Sequence, residues 1–438
     1  MKDFLRKLMP DQHPMRLAYH KMMAVAAAWF YGFPAKKMLV VAVTGTNGKT
    51  TTANMLHTIF MEAGKKAGML TTVNFKVGSR EESNKNKQTT MPPFTLQRKL
   101  KQMLNENCEV AIVEATSHAM IQNRLWGIPV DSAVFTNLTQ DHLSYHGDMD
   151  SYMQAKGKLF EQLNGSYRKA GVPKISVINQ DDPSHEYFDK FPADQPFPYG
   201  IQRGIYSARN LELRPDGTDF DLKIPNGEER VNLKIPGKMN VYNALAASTV
   251  AVANRVNLKV IKQALEKMQP VSGRVETIDE GQPFTVVVDY AHSEDSLDKL
   301  LSMFKELTKG DLIVAFGATG GGRDQSKRPK MGAVAHKYAD KIILTNDDVY
   351  EEDPNEIAAM VKEGIPREEG DGFWQVLDRK EAIRLALSMA KEGDSVVIAG
   401  KGGEEVIVIG KELIPYDDRQ VVREVLSRPV DIHVPSAV

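Results

Sequence analysis

The chain has 438 residues, with 56 Lys+Arg against 57 Asp+Glu and a formal net charge of −1. That length exceeds one ordinary core and predicts two or three domains. The balanced charge excludes a protein built around a nucleic-acid surface or an acidic tail.

Residues 1–37 mix Lys2, Arg6, Lys7, Arg16, His20 and Lys21 with apolar side chains, without a secretory pattern. The apolar run Met22–Phe30 is far short of the ~20 residues of a membrane span. It reads as a helix packed on the body of the protein; the sharper alternative is an amphipathic segment touching a membrane or a partner. Met38–Val43 is a β-branched run leading into the turn Thr44-Gly45-Thr46-Asn47-Gly48, and Lys49–Ala63 has helical periodicity. Gly78–Gln88 reads as a polar loop. A helix near Thr95–Asn105, strands at Val110–Glu114 and Ser132–Thr136, a helix near Asp150–Leu163 and a strand at Ile175–Ile178 follow. The lone Cys108 precedes the first of these strands. It reads as a buried small hydrophobe and suits a reducing cytoplasm. Asp216–Val231 has turn signals of an antiparallel insertion, and Asn240–Ala253 and Leu258–Met268 read as helices. A linker at Pro270–Arg274 precedes a second alternating run, with strands at Val286–Val288, Leu312–Phe316, Lys341–Leu344 and Ser395–Ala399. Its helices fall near Ser296–Leu307, Pro329–Tyr338, Asn355–Val361 and Lys380–Ala390. The expected fold is α/β: a central phosphate-loop ATPase domain with a mostly parallel sheet, then a C-terminal Rossmann-like domain. The expected boundaries are 1–37, 38–272 and 273–438.

Strand, Gly-rich turn, helix is the context of a phosphate loop. In Gly45-Thr46-Asn47-Gly48-Lys49-Thr50-Thr51, glycines let backbone N–H groups face phosphate oxygens. The helix N-terminus adds positive potential, Lys49 reaches the terminal phosphates, and Thr50 is placed for Mg²⁺. Val43 stands where the general motif has its first glycine. Glu114 and Asn137 end strands, His142 follows in Thr139-Gln140-Asp141-His142, and Lys156 lies about one helix on. A carboxylate and an imidazole at strand ends beside such a loop could complete a Mg²⁺ shell with Thr50.

These segments, with Ser117-His118, Tyr145-His146-Gly147, Asn240–Asn243, Gly273-Arg274, Asp289-Tyr290-Ala291-His292, Asp378-Arg379 and Gly400-Lys401-Gly402, resemble the Mur ligase family in order from about residue 38 to 425. Thr89-Thr90-Met91-Pro92 resembles the branch that adds a diamino acid to UDP-N-acetylmuramoyl-L-alanyl-D-glutamate. The resemblance implies an ATP-dependent, ADP-forming ligase of peptidoglycan synthesis, cytoplasmic and monomeric, acting on small molecules through an acyl phosphate. Lys49 and the loop amides would hold ATP. Thr50, Glu114, His142 and Lys156, the last as a carbamate, would serve two Mg²⁺ sites. Asn137 would line the nucleotide site, and Asn243, Arg274, Asp289 and His292 would reach the nucleotide across the domain gap. Thr89, Thr90, Ser117 and Arg124 would hold the acceptor, and Arg323 the amino acid's α-carboxylate.

Three departures from the family shape the expectation. Only residues 1–37 precede the first strand, where relatives carry a UDP-binding domain, so UDP would be held by a remnant, by another surface, or not at all. The amino-acid loop reads Asp347-Asp348-Val349-Tyr350 in place of Asp-Asn-Pro-Arg. With Gly400 and Glu404 completing the pocket, Asp348 and Tyr350 favour lysine over diaminopimelate. Gly403 replaces a family histidine. The rival readings are a γ-glutamyl ligase of the folylpolyglutamate or cyanophycin type, and a non-catalytic nucleotide-binding homologue.

Overall fold

The computed structural model describes residues 13–84, 89–140, 143–322 and 324–427. His142 and Arg323 lie outside them. The chain forms two compact units. One comprises the chain to Glu212 with Thr218–Leu233 and Lys238–Met268; the other comprises Gln269 onward with the short pieces Leu213–Gly217 and Lys234–Gly237.

In the first unit, helix α1 (Pro14–Tyr31) precedes strand β1 (Leu39–Thr44) and helix α2 (Lys49–Glu62). Then come β2 (Ala67–Leu70), β3 (Asn74–Val77), β4 (Arg80–Ser83), α3 (Pro93–Asn105), β5 (Val110–Glu114), α4 (Ser117–Ile121) and β6 (Ser132–Phe135). The run continues with α5 (Leu143–His146), α6 (Met149–Gly165), β7 (Ile175–Asn179), α7 (His185–Phe188), β8 (Gln195–Gly200), β9 (Tyr206–Arg214), β10 (Gly217–Ile224), β11 (Gly227–Leu233), α8 (Lys238–Ala253) and α9 (Leu258–Lys267). The sheet order is β11-β10-β9-β8-β7-β6-β1-β5-β2-β3-β4. From β8 to β2 every pairing is parallel.

A parallel sheet covered on both faces needs apolar strands throughout. Accordingly β1 buries Val40 to Val43, and β5 is buried from Val110 to Glu114. Cys108 is a free, buried thiol, as expected. Two expectations fail in part. Part of the polar loop Gly78–Gln88 is strand: β3 and β4 pair as a hairpin whose charged side chains point to solvent. Asp216–Val231 is the expected antiparallel hairpin, β10 pairing β11, but it is not a separate insertion, because the pair continues the main sheet to its edge.

The second unit holds β12 (Glu276–Thr277), β13 (Thr285–Asp289), α10 (Glu294–Leu307), β14 (Leu312–Phe316), α11 (Lys327–Tyr338), β15 (Lys341–Leu344), α12 (Pro354–Lys362) and β16 (Phe373–Gln375). It ends with α13 (Arg379–Ser388), β17 (Ser395–Ala399), the β18 (Val406–Ile409)–β19 (Glu412–Pro415) hairpin and α14 (Asp418–Leu426). Its sheet runs β12-β13-β17-β14-β15-β16, parallel apart from β12. Helices α12, α13 and α14 each begin at an aspartate, Asp353, Asp378 or Asp417, whose carboxylate accepts a first-turn N–H.

Candidate active site

Strand β1 lies between β5 and β6, so the chain leaves its carboxyl end into a crevice between their ends. That is where open parallel sheets bind ligands. Gly45 and Gly48 have φ of 149° and 84°. A Cβ on Gly45 would collide with Thr136 Oγ1, and one on Gly48 with Asn243 Oδ1. Only glycine lets the loop lie this close to β6 and α8. Helix α2 starts at Gly48 without a side-chain cap or an acidic residue in its first turn. Its first-turn N–H groups point toward the loop, the arrangement of an anion site.

The loop is tied down from outside. Asn137 Oδ1 accepts from Asn47 N (2.9 Å) and Asn137 Nδ2 donates to Asn47 O (3.1 Å). Thr136 Oγ1 donates to Asn47 O (2.7 Å). Thr46 N donates to Asn137 O, and Thr46 Oγ1 donates to Thr139 O (3.2 Å). Asn137 thus shapes the loop. Asn243 belongs to the same unit as the loop, where Thr52 Oγ1 donates to its Oδ1 (3.3 Å). This corrects its expected approach from across a domain gap. Two lysines converge on the loop. Lys49 Nζ donates to the carbonyls of Gly45 and Thr46 (both 2.9 Å), and Lys156 Nζ donates to Gly45 O (2.7 Å). Lys156 is buried, with Nζ over the Tyr152 ring. Thr51 follows Thr50 in the first turn of α2 and is half-buried.

Glu114 is buried at the end of β5. Its carboxylate accepts from Thr50 Oγ1 (2.7 Å), Thr72 N (3.1 Å) and Thr72 Oγ1 (3.0 Å). Thr72 Oγ1 and Thr89 Oγ1 share a further hydrogen bond (2.9 Å), and Thr90 Oγ1 donates to Glu114 O (2.9 Å). Arg124 donates to Thr90 O and, through Nε, to Gln122 Oε1 (2.9 Å). Burial lowers its pKa from the ordinary arginine value. Ser117 is buried against His146 Nε2 (2.9 Å). The expected acceptor residues therefore converge on Glu114 by two routes: Thr89 reaches its carboxylate through Thr72, while Arg124 and Thr90 reach its main-chain carbonyl. Sequence reasoning missed Thr72, although a polar pair just after β2 stands at the same end of the sheet as Glu114.

In the second unit, Asp289 ends β13 and accepts from Val275 N and Ala291 N (both 2.7 Å). Burial pushes its carboxyl pKa up against the opposing pull of Arg274. The Arg274 guanidinium lies 4.7 Å from the Tyr290 ring centroid. His292 bonds the Tyr290 carbonyl (2.9 Å), and burial, with Lys327 nearby, lowers its pKa. Arg274, Asp289 and His292 therefore form one cluster.

Asp347 is buried; its Oδ1 accepts from Asp348 N (2.6 Å), and its Oδ2 has no hydrogen-bond partner among the described residues. Gly400, at φ 119°, has room for no Cβ beyond contact with that oxygen. Asp348 and Glu404, expected to attract a cationic side chain, are both held by the fully buried Lys401 at 2.6 and 2.7 Å. Lys401 carries one positive charge against these two carboxylates, so it offsets only part of their pull on a cationic side chain. Tyr350 sits in the left-handed region (φ 52°) with its ring against Gly321. Sequence reasoning passed over Lys401 because it looked only like the middle of a glycine motif.

The profile of the Mur ligase middle domain matches residues 43–251, and that of the Mur ligase, glutamate ligase domain matches residues 273–402. The UDP-N-acetylmuramoyl-L-alanyl-D-glutamate–2,6-diaminopimelate ligase of Geobacillus thermodenitrificans is 44% identical over 405 residues, 92% of this chain and 82% of that protein. The enzyme of the same name from Listeria innocua is 38% identical over 413 residues, covering 94% and 83%. A solved structure of a ligase of that name aligns with a TM-score of 0.65 at 32% identity, over 89% of this chain and 78% of that one. Folylpolyglutamate synthase from Mycobacterium tuberculosis aligns with a TM-score of 0.71 at 16% identity, over 93% and 94%, and shares the fold. With its phosphate loop set between Glu114 and Asn137, the chain belongs to the Mur ligase family and is an ATP-dependent, amide-forming ligase of peptidoglycan precursor synthesis.

Proposed function

We propose that the chain joins the amino group of a diamino acid to a carboxylate of a muramoyl-L-alanyl-D-glutamate-like acceptor, through an acyl phosphate. The hydrogen-bonded run Thr89–Thr72–Glu114–Thr50 carries this reading, since it links the acceptor segment to the phosphate loop. The acceptor carboxylate attacks the terminal phosphorus of ATP, and the bond to the leaving ADP breaks. The amine then attacks the acyl carbon, phosphate leaves, and the amine's extra proton is released.

The protein's work in both steps is positioning and charge neutralisation. Lys49 exchanges its carbonyl partners for phosphate oxygens, and the α2 N–H groups hold the same anion. The adjacent hydroxyl of Thr50 and carboxylate of Glu114 suit a hard cation; Mg²⁺, when bound, neutralises charge on the transferring phosphoryl group. Lys156 is assigned as a carbamate that would add a second anionic oxygen donor at this loop, with His142 as a further ligand. Thr46, Asn47, Asn137, Asn243, Arg274, Asp289 and His292 are assigned to the nucleotide. Arg323 and Asp347 are assigned to the amino acid, the buried Oδ2 of Asp347, without a hydrogen-bond partner among the described residues, accepting its ammonium group.

Diaminopimelate is proposed as the amino acid. The support is the printed name of the relatives, while Lys401 takes up part of the charge of Asp348 and Glu404. The test is phosphate release from ATP with a panel of acceptors and amino acids, each acceptor with and without UDP. Turnover that requires a muramoyl dipeptide plus diaminopimelate is expected. Turnover only with a pterin acceptor defeats the reading, and a tenfold preference for lysine reverses the amino-acid assignment.

A further inference from the structure

Helix α1 buries Ala24, Ala27 and Ala28 and packs against α3. Its opposite side carries Met15, Tyr19, Met22, Trp29 and Phe30, which are 64%, 53%, 59%, 70% and 75% exposed. Met15, Met22 and Trp29 recur every seven residues, so they form one line along the helix, with Tyr19 and Phe30 on its flank. Among the described residues, half of the exposed large hydrophobics lie on this one helix. By helical geometry Arg16 and Lys21 project about 100–120° to either side of that line. The exposed Lys36 and Lys37 follow, and no Asp or Glu occurs between Asp11 and Glu62.

An apolar ridge needs an occupant, and charge decides which. In a helix pair between two copies, the flanks of the seam ordinarily carry opposite charges. Here both flanks are cationic, so self-pairing would set like charges together. Aromatic and methionine side chains along a helix with basic flanks and no carboxylate are complementary to an anionic lipid surface. No helix of the described residues is long and apolar enough to cross a membrane, so such a helix lies along the surface. We propose that α1 docks the ligase on an anionic bilayer. Its exposed end meets α3 where Phe30 approaches Phe94 at 6.2 Å, four residues beyond Thr90. Docking therefore sets the acceptor-binding side of this unit close to lipid.

The test is flotation of the full chain with vesicles of phosphatidylcholine alone and of phosphatidylcholine with phosphatidylglycerol. Binding to the anionic vesicles only, falling several-fold as salt rises, is expected. Trp29→Glu with Phe30→Glu, and separately Met15→Glu with Met22→Glu, should each lower partitioning at least tenfold, with unchanged melting and ligase activity on soluble substrates. Lys21→Glu with Lys37→Glu should weaken binding to anionic vesicles alone. Absent flotation, equal binding to neutral vesicles, or indifference to both apolar pairs overturns the proposal. A concentration-dependent dimer abolished by Met15→Glu with Met22→Glu, without flotation, overturns it in favour of a second copy.

Discussion

Glu114 receives three hydrogen bonds, one from Thr50 and two from Thr72, which hold its carboxylate in one orientation beside the phosphate loop. Glu114→Gln keeps the shape but removes the anion. A fall in kcat of about a hundredfold or more is expected, with an increased Mg²⁺ requirement in steady-state assays. Lys156→Ala should be similarly inactive, and short carboxylic acids should restore activity if a carbamate is the working form; a variant indifferent to them removes that assignment. His57 offers a pH test away from the chemistry. Burial, aided by Lys76, pushes its pKa down to about 4, and its Nε2 bonds Gly78 O (3.0 Å). The folded state favours the neutral ring, so its contribution is complete above pH 6.5 and is lost as pH falls toward 4. The loss amounts to roughly 3 kcal/mol. Urea melts at pH 7 and 4.5 should show a shallower loss for His57→Gln than for the parent chain. The convergence of Lys49, Thr50 and Glu114 on the phosphate loop was legible because strand-end position and side-chain chemistry coincide. The pairing of Asp348 and Glu404 with Lys401 was not, since a buried lysine inside a glycine motif leaves no periodic signature.

The turn Gly45–Gly48 and the start of α2 act as one element, braced by β6 on one side and α8 on the other. Gly48→Ala meets two penalties: a positive φ, and a Cβ aimed at Asn243 Oδ1. A stability loss of about 1–3 kcal/mol is expected, with at least tenfold weaker nucleotide binding by titration calorimetry. Pairing it with Asn243→Ala should recover only part of this, because the backbone strain remains. Strands and helices of this kind were legible from apolar runs and turn residues. The β3–β4 hairpin was not: its outward side chains, Arg80, Glu81 and Glu82, are polar, and pairing with β2 through β3, rather than hydrophobicity, makes them strand.

At the scale of the molecule, each compact unit has its own apolar core, and stability need not be shared equally between them. Lys401→Met would leave the buried Asp348 and the half-buried Glu404 without their cation, at a cost of about 3–5 kcal/mol. Hydrogen exchange should accelerate in β13, β14, β15 and β17 and stay unchanged in β1, β5 and β6. The large sheet carries a further consequence. Its terminal strands, β4 and β11, show solvent Arg80, Glu81 and Glu82 at one end and Glu228, beside the half-buried Glu229, at the other. Parallel strands joined by long crossovers pair slowly, so these rims stay open while the chain is young. Their charges make each rim a poor template for another chain's backbone, which guards the nascent enzyme against stacking into fibrillar aggregates.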